Sequence, residues 1–248
     1  MEIVVDIHTH TISSGHAYST VKEYVDYANK IGLKHFAVTD HAPNMPGASG
    51  YYHFYAMYAV PSVIEGVRVY RGIELNILDF DGNVDFKEQD LDIFEVVIAS
   101  MHPPCIKPGT KEENTKAVTS VMQKPFVKII GHLGSPTYPI DIEEICRVAK
   151  ETSTYLEINN KSLEAGGYRN DREAIKQLAL ECKRINHPVI VGSDAHFHEA
   201  LGDVKNSIDL LKEIDFPVEL IINADIKRFE ELIIPENPRK WFTSKGRS

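Results

Sequence analysis

The chain has 248 residues, 43% of them hydrophobic and 25% charged, enough for one large domain with a full core. Its 27 basic and 36 acidic residues give a net charge of −9, which makes nucleic acid an unlikely partner, since broad binding there depends on neutralising phosphates with Lys and Arg. No apolar run approaches the ~18 residues that cross a bilayer, and no basic segment followed by an apolar one opens the sequence, so no membrane partner is expected and the expected address is cytoplasmic.

The first apolar run, Ile3 to Val5, reads as a β-strand that ends in Asp6-Ile7-His8-Thr9-His10. Side chains on a strand alternate faces, so His8 and His10 point the same way and begin a metal site. A polar loop from Ser13 to Tyr18 carries His16, and Ser19 or Thr20 caps a helix running to about Lys30, ended by Gly32. His35 to Thr39 is the second strand, followed directly by Asp40-His41, and the Pro- and Gly-rich stretch from Pro43 to Gly50 is loop. Tyr51 to Ile64 is expected to be helical, disrupted at Pro61. Val67 to Ile73 is the third strand and delivers Glu74. Asp79 to Asp85 lacks the bidentate Glu of a calcium loop and reads as a hairpin turn.

Phe94 to Ser100 forms the fourth strand and leads to His102; a helix follows from Asn114 to Gln123. Val127 to Ile130 is the fifth strand, ending in Gly131-His132, and Asp141 caps a helix to about Lys150. Tyr155 to Ile158 precedes Asn159-Asn160, and a helix runs from about Asp171 to Asn186. Pro188 to Val191 is the seventh strand, ending in Gly192-Ser193-Asp194-Ala195-His196. Helical patterns cover Val204 to Glu213 and Ile226 to Ile233, with a weak strand candidate at Val218 to Ile222. Residues 1–238 read as a single domain, and 239–248 as a mildly basic tail whose Trp241 and Phe242 pack on the body. Cys105, Cys146 and Cys182 form no Cys-x-x-Cys and read as free thiols.

Strands alternating with helices indicate parallel βαβ units, and seven of them suit a closed or nearly closed α/β barrel. Such barrels place their chemistry at the C-terminal ends of the strands, where His8, His10, His41, Glu74, His102, His132, Asp194 and His196 are expected to converge. With His16 there are nine candidate ligands, all imidazoles and carboxylates, which suit zinc, manganese or iron. About three protein ligands per catalytic zinc allows three ions, with Glu74 or Asp194 able to bridge. Asp40 and Asn159 are expected to orient ligand side chains. His35, His53, His187 and His198 read as core or surface residues, with substrate contact as the alternative for His198.

Asp6-Ile7-His8-Thr9-His10, Thr39-Asp40-His41, Gly72-Ile73-Glu74, His102, Gly131-His132 and Gly192-Ser193-Asp194-Ala195-His196 resemble the PHP family, named for polymerase and histidinol phosphatase. His16-Ala17-Tyr18-Ser19, Arg71 to Asn76 and Leu156 to Asn160 are similar to its YcdX-type phosphatases, and the resemblance covers nearly the whole chain. It implies a distorted (β/α)7 TIM-like barrel and a trinuclear zinc centre that hydrolyses a small phosphorylated metabolite. By position, His8, His10, Glu74 and Asp194 would hold one ion; Glu74, His102 and His132 a second; His16, His41 and His196 the third. The expected nucleophile is a metal-bound water positioned by Glu74 and Asp194, attacking a phosphomonoester in line. Members of this type are often trimers, so a homotrimer is implied as well.

Two other activities use related parts. A DNA 3′ exonuclease or phosphodiesterase of the same family would act on single-stranded DNA, which the −9 charge disfavours. A non-enzymatic metal-binding subunit would bind ions without turnover. An amidohydrolase also begins with His-x-His, but it wants a bridging Lys that none of these strand ends supplies.

Overall fold

The computed structural model describes residues 1–167 and 169–235; the expected tail at 239–248, with Trp241 and Phe242, lies outside them. Its strands in chain order are β1 (Val5–Asp6), β2 (His35–Val38), β3 (Val63–Ile64), β4 (Val67–Asn76), β5 (Val96–Ser100), β6 (Ile129–Ile130), β7 (Tyr155–Asn159) and β8 (Val189–Gly192). Seven of these run parallel in the order β1-β2-β4-β5-β6-β7-β8, and β3 pairs antiparallel with β4. The helices are α1 (Val21–Ile31), α2 (Tyr51–Tyr55), α3 (Lys111–Met122), α4 (Ile142–Thr152), α5 (Arg172–Arg184), α6 (Lys205–Glu213) and α7 (Ile226–Ile233). Thr20 with Glu23 and Thr110 with Glu113 form capping boxes at α1 and α3, while Asp141, Asp171 and Asp225 cap α4, α5 and α7. Each longer helix turns an apolar stripe to the sheet, as α1 does with Tyr24, Val25 and Ala28.

The sheet nearly closes into a barrel between β1 and β8. Near the mouth, Thr9 bridges Ala195 in parallel, and His10 N–H donates to Ala195 O at 2.8 Å. Deeper in, the side chain of Asn223 does the work of a missing strand pairing. Its Nδ2 donates to Val5 O at 2.8 Å and to Val191 O at 2.6 Å, and its Oδ1 accepts from Val191 N–H at 3.0 Å. Asp6 adds a third tie, accepting from Ser193 N–H at 3.1 Å, Ser193 Oγ at 2.5 Å and Gly202 N–H at 2.8 Å. The floor is apolar, with Tyr70, Ile98, Ile129, Tyr155 and Ile190 packed against Phe229 and Ile233 of α7. Two steps further along three of these strands come Gly72, Gly131 and Gly192.

Three expectations are corrected. The stretch 51–64 is helical only to Tyr55, passes through a 3-10 turn at Ala56–Ala59, and ends in strand β3. Pro61 offers no N–H to extend a helix, the β-branched Val63 and Ile64 suit a strand, and Glu65 and Gly66 take positive φ of 50° and 81° to make the hairpin. Residues 218–222 are not a strand but part of two 3-10 turns, with one bridge from Ile221 to Val189, because the amide of Asn223 already serves β1 and β8. Strand β1 stops at Asp6, so His8 and His10 lie beyond its end; their rings still face one space, 5.0 Å apart. The Asp79–Asp85 stretch is a hairpin loop: Ile77 and Val84 bridge antiparallel, and the Asp79 carboxylate accepts from Asp81 and Asn83 N–H at 3.0 and 3.1 Å.

Candidate metal centre

Glu74, fully buried on β4, is the hub. Its Oε1 lies 3.4 Å from His8 Nε2, 3.3 Å from His102 Nε2 and 3.1 Å from His132 Nε2. Its Oε2 lies 2.6 Å from His41 Nδ1 and 3.6 Å from His10 Nε2. Asp194 Oδ1 stands 3.4 Å from His10 Nε2 and 3.9 Å from His8 Nε2. Three sets bring their donor atoms within 4.8 Å of one another: His8, His10 and Asp194; His41, Glu74 and His102; His10, His41 and His196. His16 is exposed at the rim, its ring 4.9 Å from that of His41 and 5.0 Å from that of His196. All nine side chains singled out in the sequence therefore meet at one end of the barrel.

Four atoms of this cluster, His8 Nε2, His10 Nε2, His41 Nδ1 and Glu74 Oε2, are buried without a hydrogen bond. The close approach of His41 Nδ1 to Glu74 Oε2 is not aligned as one. Each buried, unpaired polar atom costs ~1–3 kcal/mol, so facing lone pairs at this density call for a shared positive charge. The donor set of imidazole nitrogens and carboxylate oxygens fits divalent cations of the zinc, manganese or iron kind.

The far sides of the rings are tied down. His8 Nδ1 gives its hydrogen to Glu157 Oε1 at 2.8 Å, His10 Nδ1 to Ser14 Oγ at 3.0 Å, and His102 Nδ1 to Asn76 Oδ1 at 2.7 Å. In the neutral imidazole each donation leaves Nε2 as a lone pair aimed inward. Behind them, Ser14 Oγ donates to Asp40 Oδ1 at 2.6 Å, and Asp85 holds Asn76 by its N–H at 2.9 Å and its Nδ2 at 2.6 Å. Asp40 thus reaches His10 through one hydroxyl. Asn159 Nδ2 donates to Glu157 Oε2 at 3.0 Å and lies 3.4 Å from Asp194 Oδ2.

The second Glu157 oxygen also accepts from His132 N–H at 2.9 Å. This carboxylate fits because Gly192 beside it has no Cβ: one there would meet Glu157 Oε1 at 2.3 Å. His132 and Asp194 hold positive φ, 31° and 58°, conformations that non-glycine residues adopt at a cost and that aim both side chains inward.

Electrostatics separate the cluster. Burial disfavours charge on His8, but the carboxylates of Glu157, Glu74 and Asp194 outweigh it and hold its pKa well above the ordinary value. Burial, reinforced by neighbouring imidazoles, holds His10 well below it. Burial likewise lowers His41, His102 and His132, and takes His196 down to about 4. Glu74 and Asp194 resist their own burial, the first through His102, His41 and His8, the second through Arg169 and His8; both stay well below the usual carboxylate range. Neutral imidazoles around ionised carboxylates are the protonation states that bind cations; His10, His41, His102, His132 and His196 are held neutral, whereas His8 must give up its Nε2 proton to a cation that binds there.

A cleft of about 410 Å³ opens over the cluster, bounded by Met45, Pro46, Pro103 and Pro104 and by two cations, Lys161 and Arg169. Arg169 pairs with Asp194, and Lys161 Nζ lies 3.0 Å from His196 Nδ1. His198 hydrogen-bonds Ser19, its N–H donating to Ser19 Oγ at 2.9 Å and its Nδ1 lying 3.0 Å from the same oxygen. His187 is buried and donates to Thr154 O at 2.9 Å, His35 stacks near Tyr70, and His53 lies 3.9 Å from Asp40. The sequence alone assigns no role to Glu157, Ser14, Asn76, Lys161 or Arg169, although Glu157 and Asn76 lie in stretches that carry the family resemblance. For Glu157 a signal existed: an acid between Leu156 and Ile158 on a fully buried strand must face something polar inside.

The model of the PHP domain family matches residues 6–165. A probable phosphatase of Acetivibrio thermocellus is 43% identical over 233 residues, spanning 94% of this chain and 96% of that protein. A probable phosphatase of Clostridium novyi is 44% identical over 231 residues, spanning 92% and 93%. The histidinol phosphate phosphatase of Lactococcus lactis, solved with zinc, L-histidinol and phosphate, is similar with a TM-score of 0.65 at 19% identity, over 88% of this chain and 95% of that one. A chain of an archaeal ribonuclease P complex with mature tRNA reaches a TM-score of 0.56 at 15% identity, over 92% and 87%. At those identities the barrel is what is shared, and the barrel alone does not set the chemistry.

Proposed function

The chain belongs to the PHP domain family, and from that premise we propose that it is a metal-dependent phosphomonoesterase acting on a small phosphorylated metabolite at a three-cation centre. His8, His10, Glu74 and Asp194 would hold one cation, Glu74 with His102 and His132 a second, and His16, His41 and His196 a third. When bound, such cations draw charge from phosphoryl oxygens and lower the pKa of a water toward ~7.

The chain's own residues prepare that chemistry. Glu74 turns one oxygen to His8, His102 and His132 and the other to His10 and His41, an arrangement suited to bridging. Glu157, Ser14 and Asn76 keep three imidazoles in the ligating tautomer. Asp194, ionised beside Arg169, closes the ligand shell on the cleft side. A cleft of about 410 Å³ falls in the ordinary range for a small-molecule site. Lys161 and Arg169 supply positive charge to it, which suits an anionic ester.

The observation that carries the reading is the group of buried, unpartnered atoms on His8, His10, His41 and Glu74, in a chain 43% identical to a probable phosphatase. The test is hydrolysis of p-nitrophenyl phosphate with added zinc or manganese. Glu74→Ala and His132→Ala are expected to lose at least ~100-fold in kcat/KM; turnover equal to wild type would refute the mechanism. Labelled single-stranded DNA, offered in parallel, separates this reading from an exonuclease.

A further inference from the structure

Lys161 sits half-buried on the 3-10 turn that follows β7, on the same cleft wall as His196. Among the described residues no carboxylate lies within ion-pair distance of its ammonium, and its hydrogen-bond partner is His196 Nδ1 at 3.0 Å. That nitrogen is contested. It also lies 3.0 Å from the carbonyl oxygen of Asp194, and it cannot accept from Lys161 while donating to Asp194.

Ligation by His196 decides the contest against Lys161 in both modes. A neutral imidazole that gives Nε2 to a cation carries its hydrogen on Nδ1, and that hydrogen goes to Asp194 O. One that gives Nδ1 to a cation has no lone pair left there. Either way the ammonium loses its acceptor and gains a positively charged neighbour. A lysine is a point charge on a four-carbon stem, so it can turn to the nearest anion, and the cleft is the space open to it.

We propose that Lys161 is a substrate-anchoring residue: released from His196 when that imidazole ligates a cation, its ammonium grips a non-bridging oxygen of the phosphoryl group in the cleft. The proposal rests on the phosphatase reading above. It makes cation binding and phosphate binding support each other through one side chain, which competes with the cation when the anion is absent and holds the anion when the cation is present.

The test is calorimetric titration of inorganic phosphate into zinc-loaded protein cleared of excess metal, alongside zinc titration of the chelator-treated protein. In Lys161→Met, phosphate affinity is expected to fall at least tenfold while zinc affinity stays the same or rises, since a competitor for His196 is gone; Lys161→Arg is expected to recover part of the phosphate affinity. A merely structural lysine would weaken zinc as well. Phosphate affinity within twofold of wild type, or a loss of zinc affinity in Lys161→Met, overturns the anchor. A wild type that takes up zinc and ignores phosphate overturns the phosphatase reading itself, and the anchor with it.

Discussion

Glu157 Oε1 accepts the Nδ1 hydrogen of His8 at 2.8 Å, across 149 positions of sequence and with both side chains buried. Because its other oxygen takes the His132 N–H, one buried acid sets two candidate ligands beyond the ends of different strands. Glu157→Gln keeps the shape but removes the charge and can turn an amide N–H toward His8. We expect zinc affinity to fall 10–100-fold, measured by competition with a chromophoric chelator. Wild-type affinity would remove Glu157 from the account.

Gly192 leaves the room that this acid occupies. An alanine there would place its Cβ 2.3 Å from Glu157 Oε1 and 2.8 Å from His8 Cβ. Both neighbours are fixed, so Gly192→Ala is expected to cost ~1–3 kcal/mol in urea denaturation and to weaken zinc binding together with it. An alanine tolerated on both counts would mean the Glu157 carboxylate has freedom the structure does not suggest.

Acid is expected to destabilise the fold from about pH 6.5 downward. Burial lowers the pKa of His187 below its ordinary 6.5, so as pH falls the unfolded chain takes up the proton first. Stability is therefore full above pH 6.5 and is lost as pH drops toward the folded value. His10, His41, His102, His132 and His196 are shifted the same way and add to the slope, while His8, held high, opposes it. In chelator-treated protein, urea melts from pH 7.5 to 5.5 should show this loss, with His187→Gln reducing the slope by up to ~1.4 kcal/mol per pH unit. A flat profile in the wild type would contradict the burial of these rings.

The loops bearing His16 and His196 are tied to each other. Tyr18 N–H donates to His196 O at 2.9 Å, and His198 N–H donates to Ser19 Oγ at 2.9 Å. His198→Ala loses the side-chain contact to Ser19 and is expected to cost about 1 kcal/mol in stability. Its effect on metal should be selective, weakening one equivalent in a zinc titration and leaving the others. Uniform weakening of all equivalents would show that the tie does not belong to one ion.

The candidate ligands were readable in the sequence because short apolar runs kept ending in His, Asp or Glu, and parallel strands bring such ends to one rim. The supports were harder to see. Ser14 and Asn76 are ordinary loop and strand-end residues until the fold sets them behind His10 and His102. Arg169 returns to Asp194 from 25 residues away, and nothing local in its loop announces that. Asn223 closes the barrel with a side-chain amide, where a strand pattern at 218–222 suggested backbone pairing. At 51–64, helical periodicity gave way to Pro61 and to a hairpin whose pairing partner lies on β4.

The central claim is that nine converging side chains hold three cations. Metal content of the purified protein after zinc loading and desalting, read by inductively coupled plasma mass spectrometry, tests it most directly. About three equivalents per chain are expected, with Glu74→Ala losing at least two because that carboxylate would bridge. A single equivalent in the wild type, or three that survive in Glu74→Ala, would contradict it.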